Sequence, residues 1–392
     1  MSTRVDPTFL GEIRKFGAFD VSACFNCGNC TAVCPLSVGS DSFPRKMIRY
    51  AQIGARDRLV ASKEMWLCYY CGECSDTCPR QAEPGEFMAS ARRYAIASFD
   101  PTGISRLLYT SKLFTAVFML ALSVVFALVL LIGENPMESG SPVLFQMDEI
   151  SGFLSFHVIH NLGLAMIAVA VVAAVAGVAR MVWRLSRALS PAQGQGEKGQ
   201  ESPRPAERLI RAVKSVILEL VAQKRYRDCE TEQKAPWYRS RWFIHWSIMW
   251  GVIGLAVATG IDYLWLMVAD KIPGQPDPFW YPGRLIGTVA GLLALYGTAF
   301  AMLSRIKKPD KYSSHSLLSD WLFLWILFLT ILTGFLVELA VYLPTGTIWG
   351  YVLFLVHVVL GMELIVLLPF TKFAHSVYRP LALLIHGGYH QY

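Results

Sequence analysis

Eight cysteines carry the strongest chemical signal in this 392-residue chain. Cys24, Cys27, Cys30 and Cys34 precede Pro35, and Cys68, Cys71, Cys74 and Cys78 precede Pro79, so the run C-x2-C-x2-C-x3-C-P occurs twice. Three thiolates at such gaps wrap one corner of a cubane, and Gly28 or Gly72 allows the tight backbone between them. The fourth cysteine of each run points away and serves the other centre. The spacing therefore predicts two [4Fe-4S] clusters, one on Cys24, Cys27, Cys30 and Cys78, the other on Cys68, Cys71, Cys74 and Cys34. Zinc rarely uses this spacing, and disulfides are disfavoured in the cytoplasm. Cys229 stands apart and is read as structural.

Histidines form the second group. Five of the eight, His157, His160, His245, His357 and His375, fall in or at the ends of long apolar stretches. A neutral imidazole is the usual axial ligand of b-type haem, and polar groups in lipid are costly and mostly functional. His357 and His375 are 18 residues apart. On one continuous last helix that is five turns, placing them on one face about 27 Å apart, one near each membrane surface. His245 is expected level with His375 at the inner surface, and His157 and His160 level with His357 at the outer. Two bis-histidine haems follow: His245 with His375 inside, and His160 or His157 with His357 outside. Depth favours His160 as the outer ligand; the unused histidine would face a quinone. His315, His386 and His390 fall in cytoplasmic segments and receive no role.

Quinol oxidation releases two protons with its two electrons, so a quinone site needs a proton-accepting side chain. Asp262 and Glu338, near the outer ends of their helices, and Lys271 just beyond are the candidates. Snorkelling or capping at the interface is the competing reading for them. Glu363 lies deep in the bilayer without an assigned role.

These residues require membrane helices to position them. Charged residues make up 17% of the chain, against roughly 25% in an average soluble domain, and mean hydropathy is +0.40. Six stretches are long and apolar enough to span a bilayer: Leu113–Gly133, Phe153–Ala179, Trp242–Ile261, Leu285–Ser304, Trp321–Val337 and Ile348–Phe370. Basic residues crowd into Arg184–Arg241 and Arg305–Lys311 and are absent from Gly133–Gly152 and Leu343–Thr347. The positive-inside rule then puts both termini and the iron–sulfur domain in the cytoplasm, with the protein multi-pass in the inner membrane. Met1–Asp20 shows no signal-peptide pattern, which agrees. The net charge of +7 is accounted for by this orientation, and no nucleic-acid partner is expected.

The expected fold is mainly α: a helical two-cluster ferredoxin domain (1–105) followed by a six-helix transmembrane cytochrome b domain. Its membrane part divides into helices 1–2 (106–185), a cytoplasmic linker with an amphipathic helix (186–240), and helices 3–6 (241–392). Pro191–Pro205 reads as a flexible linker. Leu209, Val213, Val216, Ile217, Leu220 and Val221 then recur at helical spacing, for a helix that lies on the membrane, docks a partner or packs on its own domain. Pro44 and Gly54 bound a helix around Arg45–Ile53.

The cysteine repeat resembles the helical ferredoxin domains of succinate dehydrogenase and of heterodisulfide reductase C subunits. The segment His357–His375 resembles the last helix of nitrate reductase gamma subunits, dihaem cytochromes b, with both histidines at that family's ligand positions. Trp242-Phe-Ile-His245 resembles its earlier ligand helix. The position ten residues on is Leu255, which cannot bind iron, so the outer haem either takes its other ligand from the additional N-terminal helices or is absent. With Phe43-Pro-Arg-Lys, Trp66-Leu-Cys68, Cys78-Pro-Arg80 and Glu83-Pro-Gly-Glu86, nearly the whole chain is similar to the membrane-embedded C subunits of quinone-interacting membrane-bound oxidoreductase (Qmo) complexes. That resemblance implies electron exchange between menaquinone and adenylylsulfate reductase, through cytoplasmic flavin and iron–sulfur subunits of the heterodisulfide reductase A type.

Spacing alone implies a quinone-linked electron wire, a subunit of an oxidoreductase rather than a complete enzyme, with the direction of flow left open. A catalytic heterodisulfide reductase is ranked low because no adjacent cysteine pair occurs. A membrane anchor that carries no electrons, or an electron-transfer subunit with a different terminal acceptor, are the alternatives.

Overall fold

Six described helices contain spans long and apolar enough to cross a bilayer. They are Lys112–Ile132, Phe156–Leu189, Arg241–Val268, Pro282–Lys307, Leu318–Tyr342 and Ile348–Leu367, in the computed structural model of the chain. The structure describes residues 5–37, 42–133, 154, 156–189, 205–223, 226–227, 236–268, 278, 280–307, 316–342 and 348–389. Regular structure among these residues is helical throughout. Lys271, Cys229, His315, His390 and most of the Pro191–Pro205 linker lie outside them.

The iron–sulfur part is built of short helices around the two cysteine loops. Arg45–Gln52 starts directly after Pro44. Its end is fixed by Gly54, whose φ is +72° and where a Cβ would lie 2.1 Å from the Asp6 carbonyl oxygen. No side chain fits there. Pro84–Phe99 carries proline at its first turn, the position where a missing N–H costs nothing. Phe87, Met88, Ala91, Ala95 and Phe99 bury its inner face.

This core does not stop at the membrane. The second membrane helix has 34 residues, about 51 Å at 1.5 Å per residue, against a hydrocarbon core of about 30 Å. Its C-terminal end adds Met181 and Leu185 to the ferredoxin core, and the last helix, His375–Tyr389, adds Ala374 (just before it), Tyr378 and Ala382. The Trp66 ring sits 5.5 Å from Tyr378 and 6.4 Å from Phe99. A buried ion cluster joins the parts further. Asp320, 2% exposed at the start of the fifth membrane helix, takes Arg93 Nη2 at 2.7 Å and Lys372 Nζ at 3.0 Å. Arg93 also donates to the Phe16 carbonyl at 3.0 Å.

The third and fourth membrane helices pack through small residues. A Cβ on Gly251 would come within 2.6 Å of Ala294, and one on Gly297 within 2.9 Å of the Ile244 carbonyl. Such close backbone approach is how helices associate in lipid.

The last membrane helix departs from expectation. It ends at Leu367, followed by turns, a 3-10 segment Lys372–Ala374 and the separate helix starting at His375. Pro369 is the cause: its ring excludes Leu368 from the helical region and it has no N–H to donate. The continuous helix expected to carry both His357 and His375 is therefore two helices, and the five-turn count does not apply. The amphipathic segment forms Pro205–Val216 and a π-helical turn Ile217–Val221. It packs against the last helix, the own-domain alternative of the three.

Candidate redox centres

The two cysteine loops are conformational copies of each other. Asn26 and Tyr70, each just before a middle cysteine, have φ of 61° and 59°, and Gly28 and Gly72, each just after, have φ of 97° and 99°. Short helices Asn29–Ala32 and Glu73–Asp76 follow the glycines. The turns aim backbone donors at sulfur: Asn26 N–H to Cys24 Sγ at 3.4 Å, Tyr70 N–H to Cys68 Sγ at 3.3 Å and Ala82 N–H to Cys78 Sγ at 3.4 Å. Hydrogen bonds of this kind set cluster potentials.

Cys78 of the second run joins the first three cysteines of the first: Cys24, Cys27, Cys30 and Cys78 line one cavity with Arg45 and Arg80. Cys34 lies within electrostatic reach of Cys68 and Cys71 and, more weakly, of Cys30, and Cys74 within reach of Cys68, Cys71, Cys34 and Cys30. Burial first, then neighbouring thiols, pushes the Cys34 thiol up to about 12 and raises Cys74 and Cys30 as well. Among the described residues no three ligating side chains are grouped as a single-ion site. The donor sets thus fit two [4Fe-4S] clusters.

The structure brings His245 and His375 together, His375 on a separate helix and not on the continuous one expected. Ser240 Oγ caps the third membrane helix through Phe243 N–H at 3.1 Å, and His245 lies near that start. His375 opens the last helix. Their ring centroids are 6.4 Å apart with planes at 58°. A metal bridging two imidazole nitrogens needs roughly 6 Å, from two bonds of about 2 Å and two ring radii of about 1 Å. His375 Nδ1 meets the Lys372 carbonyl, and His245 Nδ1 meets Gln223 Oε1 at 3.1 Å. Both partners accept, so each Nδ1 carries the proton and each Nε2 keeps its lone pair. Arg379 Nη2 is buried beside the pair without a hydrogen-bond partner, a donor suited to a haem carboxylate. The residues present fit a bis-histidine haem.

At the other surface the histidines are distributed differently. His357 Nδ1 lies 3.0 Å from Thr333 Oγ1. That hydroxyl already donates to Leu329 O at 2.7 Å, so it accepts from His357 and again leaves Nε2 to a ligand. Gly334 makes room for the ring: a Cβ there would lie 3.1 Å from His357 Cε1. His160 Nε2 is 3.1 Å from Tyr263 OH on the third helix, and His157 is exposed. Among the acids, Glu338 pairs with Arg284 Nε at 2.9 Å, and Asp262 is half-buried near the end of the third helix. Glu363 accepts a hydrogen bond from Ser123 of the first membrane helix.

Several participants had no signature in the sequence. Gln223, 4% exposed, has a φ of 50° and reaches His245 from the end of the π-helical turn. Tyr226 stands between Tyr69 and His245, with ring centroids at 5.9 and 5.6 Å. Arg241 and Arg379 lie one helical turn from the paired histidines, a spacing that a search at four residues from each histidine would have found.

Residues 20–82 match the 4Fe-4S dicluster domain family. The E subunit of the dihydromethanophenazine:CoB–CoM heterodisulfide reductase of Methanosarcina mazei is 27% identical over 38% of this chain and 60% of its own length. A protein of Archaeoglobus profundus described as like the heterodisulfide reductase C subunit is 36% identical over 27% of this chain and 59% of its own. The C subunit of the H2:CoB–CoM heterodisulfide,ferredoxin reductase of Methanothermobacter thermautotrophicus is 31% identical over 16% of this chain and 34% of its own. The chain therefore spans about 60% of the Methanosarcina relative it matches. No solved structure matches the chain. It carries a 4Fe-4S dicluster domain, has six membrane-spanning candidates among the described residues, and is similar to the E and C subunits of heterodisulfide reductases.

Proposed function

We propose that this chain is a membrane electron-transfer subunit. It passes electrons between menaquinone, two b-type haems and two [4Fe-4S] clusters, and on to cytoplasmic flavin and iron–sulfur subunits resembling heterodisulfide reductase A. When bound, haem and clusters supply one-electron carriers. The observation that carries this reading is the facing pair His245 and His375, 6.4 Å apart with both Nδ1 atoms occupied, set against the Cys68–Cys71 loop. His357 is poised in the same way and takes His160 as its haem partner, or His157 with His160 left to the quinone. Asp262 and Glu338 lie toward the outer ends of their helices in the expected orientation, and Lys271 follows Asp262 in sequence. There the Arg284–Glu338 pair would position a quinol oxygen and Asp262 would accept its proton.

The distribution of basic residues favours a cytoplasmic iron–sulfur domain and cytoplasmic termini. The Qmo resemblance favours adenylylsulfate reductase as the downstream partner. The similarity to heterodisulfide reductase subunits supports a second reading, in which the same wire serves a heterodisulfide-reducing partner. A menaquinol analogue added to membranes carrying the chain should reduce the clusters, followed by electron paramagnetic resonance (EPR). H375A should block this reduction. A simple anchor would show no quinol-driven reduction that depends on His375.

A further inference from the structure

Two arginines stand four residues from the facing histidines, Arg241 before His245 and Arg379 after His375. Both reach one cysteine loop. Arg241 donates to the Tyr70 carbonyl at 2.7 Å and the Cys71 carbonyl at 3.2 Å. The Arg379 guanidinium lies 4.3 Å from the Tyr69 ring centroid. A third cation, Arg92, donates to the Met65 carbonyl at 2.7 Å and to the Cys68 carbonyl. Tyr226 closes the gap between Tyr69 and His245, with the Arg241 guanidinium 5.7 Å from its ring. The Tyr69 hydroxyl donates to Glu219.

The other loop faces outward. Cys27 is exposed, Phe25 is 59% exposed, and Arg80 lies 6.0 Å from the Phe25 ring. The two cysteine sites, equivalent in sequence, are thus unequal in surroundings.

We propose that Arg241, Arg379 and Tyr226 clamp the Cys34–Cys68–Cys71–Cys74 site onto the histidine pair, making it the membrane-side cluster, and leave the Cys24–Cys27–Cys30–Cys78 site as the partner-side one. This rests on the electron-transfer reading above. The exchange between them is of one electron: one centre is oxidised as its neighbour is reduced, and no bond or proton need move. Reduction makes the iron–sulfur site more negative, and three guanidiniums hydrogen-bonded to or stacked on its loop favour that state. The clamp residues therefore set its potential as well as its position.

The test is a redox titration of the full-length chain followed by EPR, with the two cluster signals assigned by C34S and C78S. R241Q and R379Q should move the signal abolished by C34S to lower potential and leave the signal abolished by C78S in place. R241K and R379K, which keep the charge, should stay nearer to wild type and show that the shift is electrostatic. A shift of both signals alike, of the C78S-sensitive signal alone, or of neither overturns the clamp. Wild-type protein that shows both signals but binds no haem would sink the electron-transfer reading, while the selective shift would still decide the clamp.

Discussion

His245 and His375 lie with ring centroids 6.4 Å apart, each with its Nδ1 hydrogen-bonded and its Nε2 left out of that bond. One arises from the start of the third membrane helix and the other from a helix that begins only after the sixth has ended. Their meeting ties the membrane part to the iron–sulfur domain, because the same two helices present arginines to the Cys68–Cys71 loop.

Gln223 holds His245 in the tautomer that leaves Nε2 available, and its own amide is anchored by Met249 Sδ at 3.3 Å. Groups of this kind change metal affinity by about 10–100-fold when removed. Q223L should retain the fold and the clusters but lose the inner haem during dialysis against a haem-binding competitor about that much faster than wild type. Q223E, which keeps an acceptor, should hold it.

The cross-pairing of cysteines makes an unusual mutational signature. C78S, in the second run, should destroy the same cluster as C24S, in the first, and C34S the same cluster as C74S. Non-haem iron should fall from about eight to about four atoms in each case, with C24S and C78S losing the same EPR signal. Pairing within each run would instead group C78S with C74S.

Asp320 is the common partner of Arg93 and Lys372 in a buried site. D320N leaves the buried Arg93 uncompensated, a loss of about 3–5 kcal/mol, and takes the partner from the half-exposed Lys372. The expected result is faster hydrogen exchange in Pro84–Phe99 and around Lys372, with the membrane helices intact by circular dichroism. Unchanged exchange would show that the cluster does not hold the two parts together.

Burial pushes Glu86 up to about 7, against the opposing pull of the Tyr70 hydroxyl bonded to it and of the Arg93 cation. The folded protein therefore keeps this proton where an unfolded chain, with its carboxylate near 4.5, has lost it. The stability it contributes is full below pH 4.5 and is lost as pH rises through 7. Infrared spectra should show a protonated carboxyl band at about pH 6 that fades above about pH 7 and is missing in E86Q.

How much of this was legible in the sequence depends on how local each signal is. The iron–sulfur character was, because the eight cysteines sit within two short loops whose spacing matches a 4Fe-4S dicluster domain. The membrane helices were, because hydropathy over about twenty residues averages away local detail. The His245–His375 pairing was found through a premise that fails, one helix running through Pro369. The proline is plain in the sequence, but apolar residues on both sides hid the break. Gln223 and Tyr226 were not legible: they act from an irregular segment on partners that only the fold brings near. The ion pair of Glu338 with Arg284 was likewise beyond reach, since 54 residues separate the two and they belong to different helices.

The most direct measurement is haem content and the dithionite-reduced visible spectrum of the purified full-length chain, reconstituted with haem, beside H245A, H375A and H357A. Two low-spin b-type haems are expected in the wild type, with H245A and H375A each losing the same one and H357A the other. A wild-type protein that keeps its iron–sulfur signals but takes up no haem, or an H375A variant with an unaltered spectrum, would contradict the assignment.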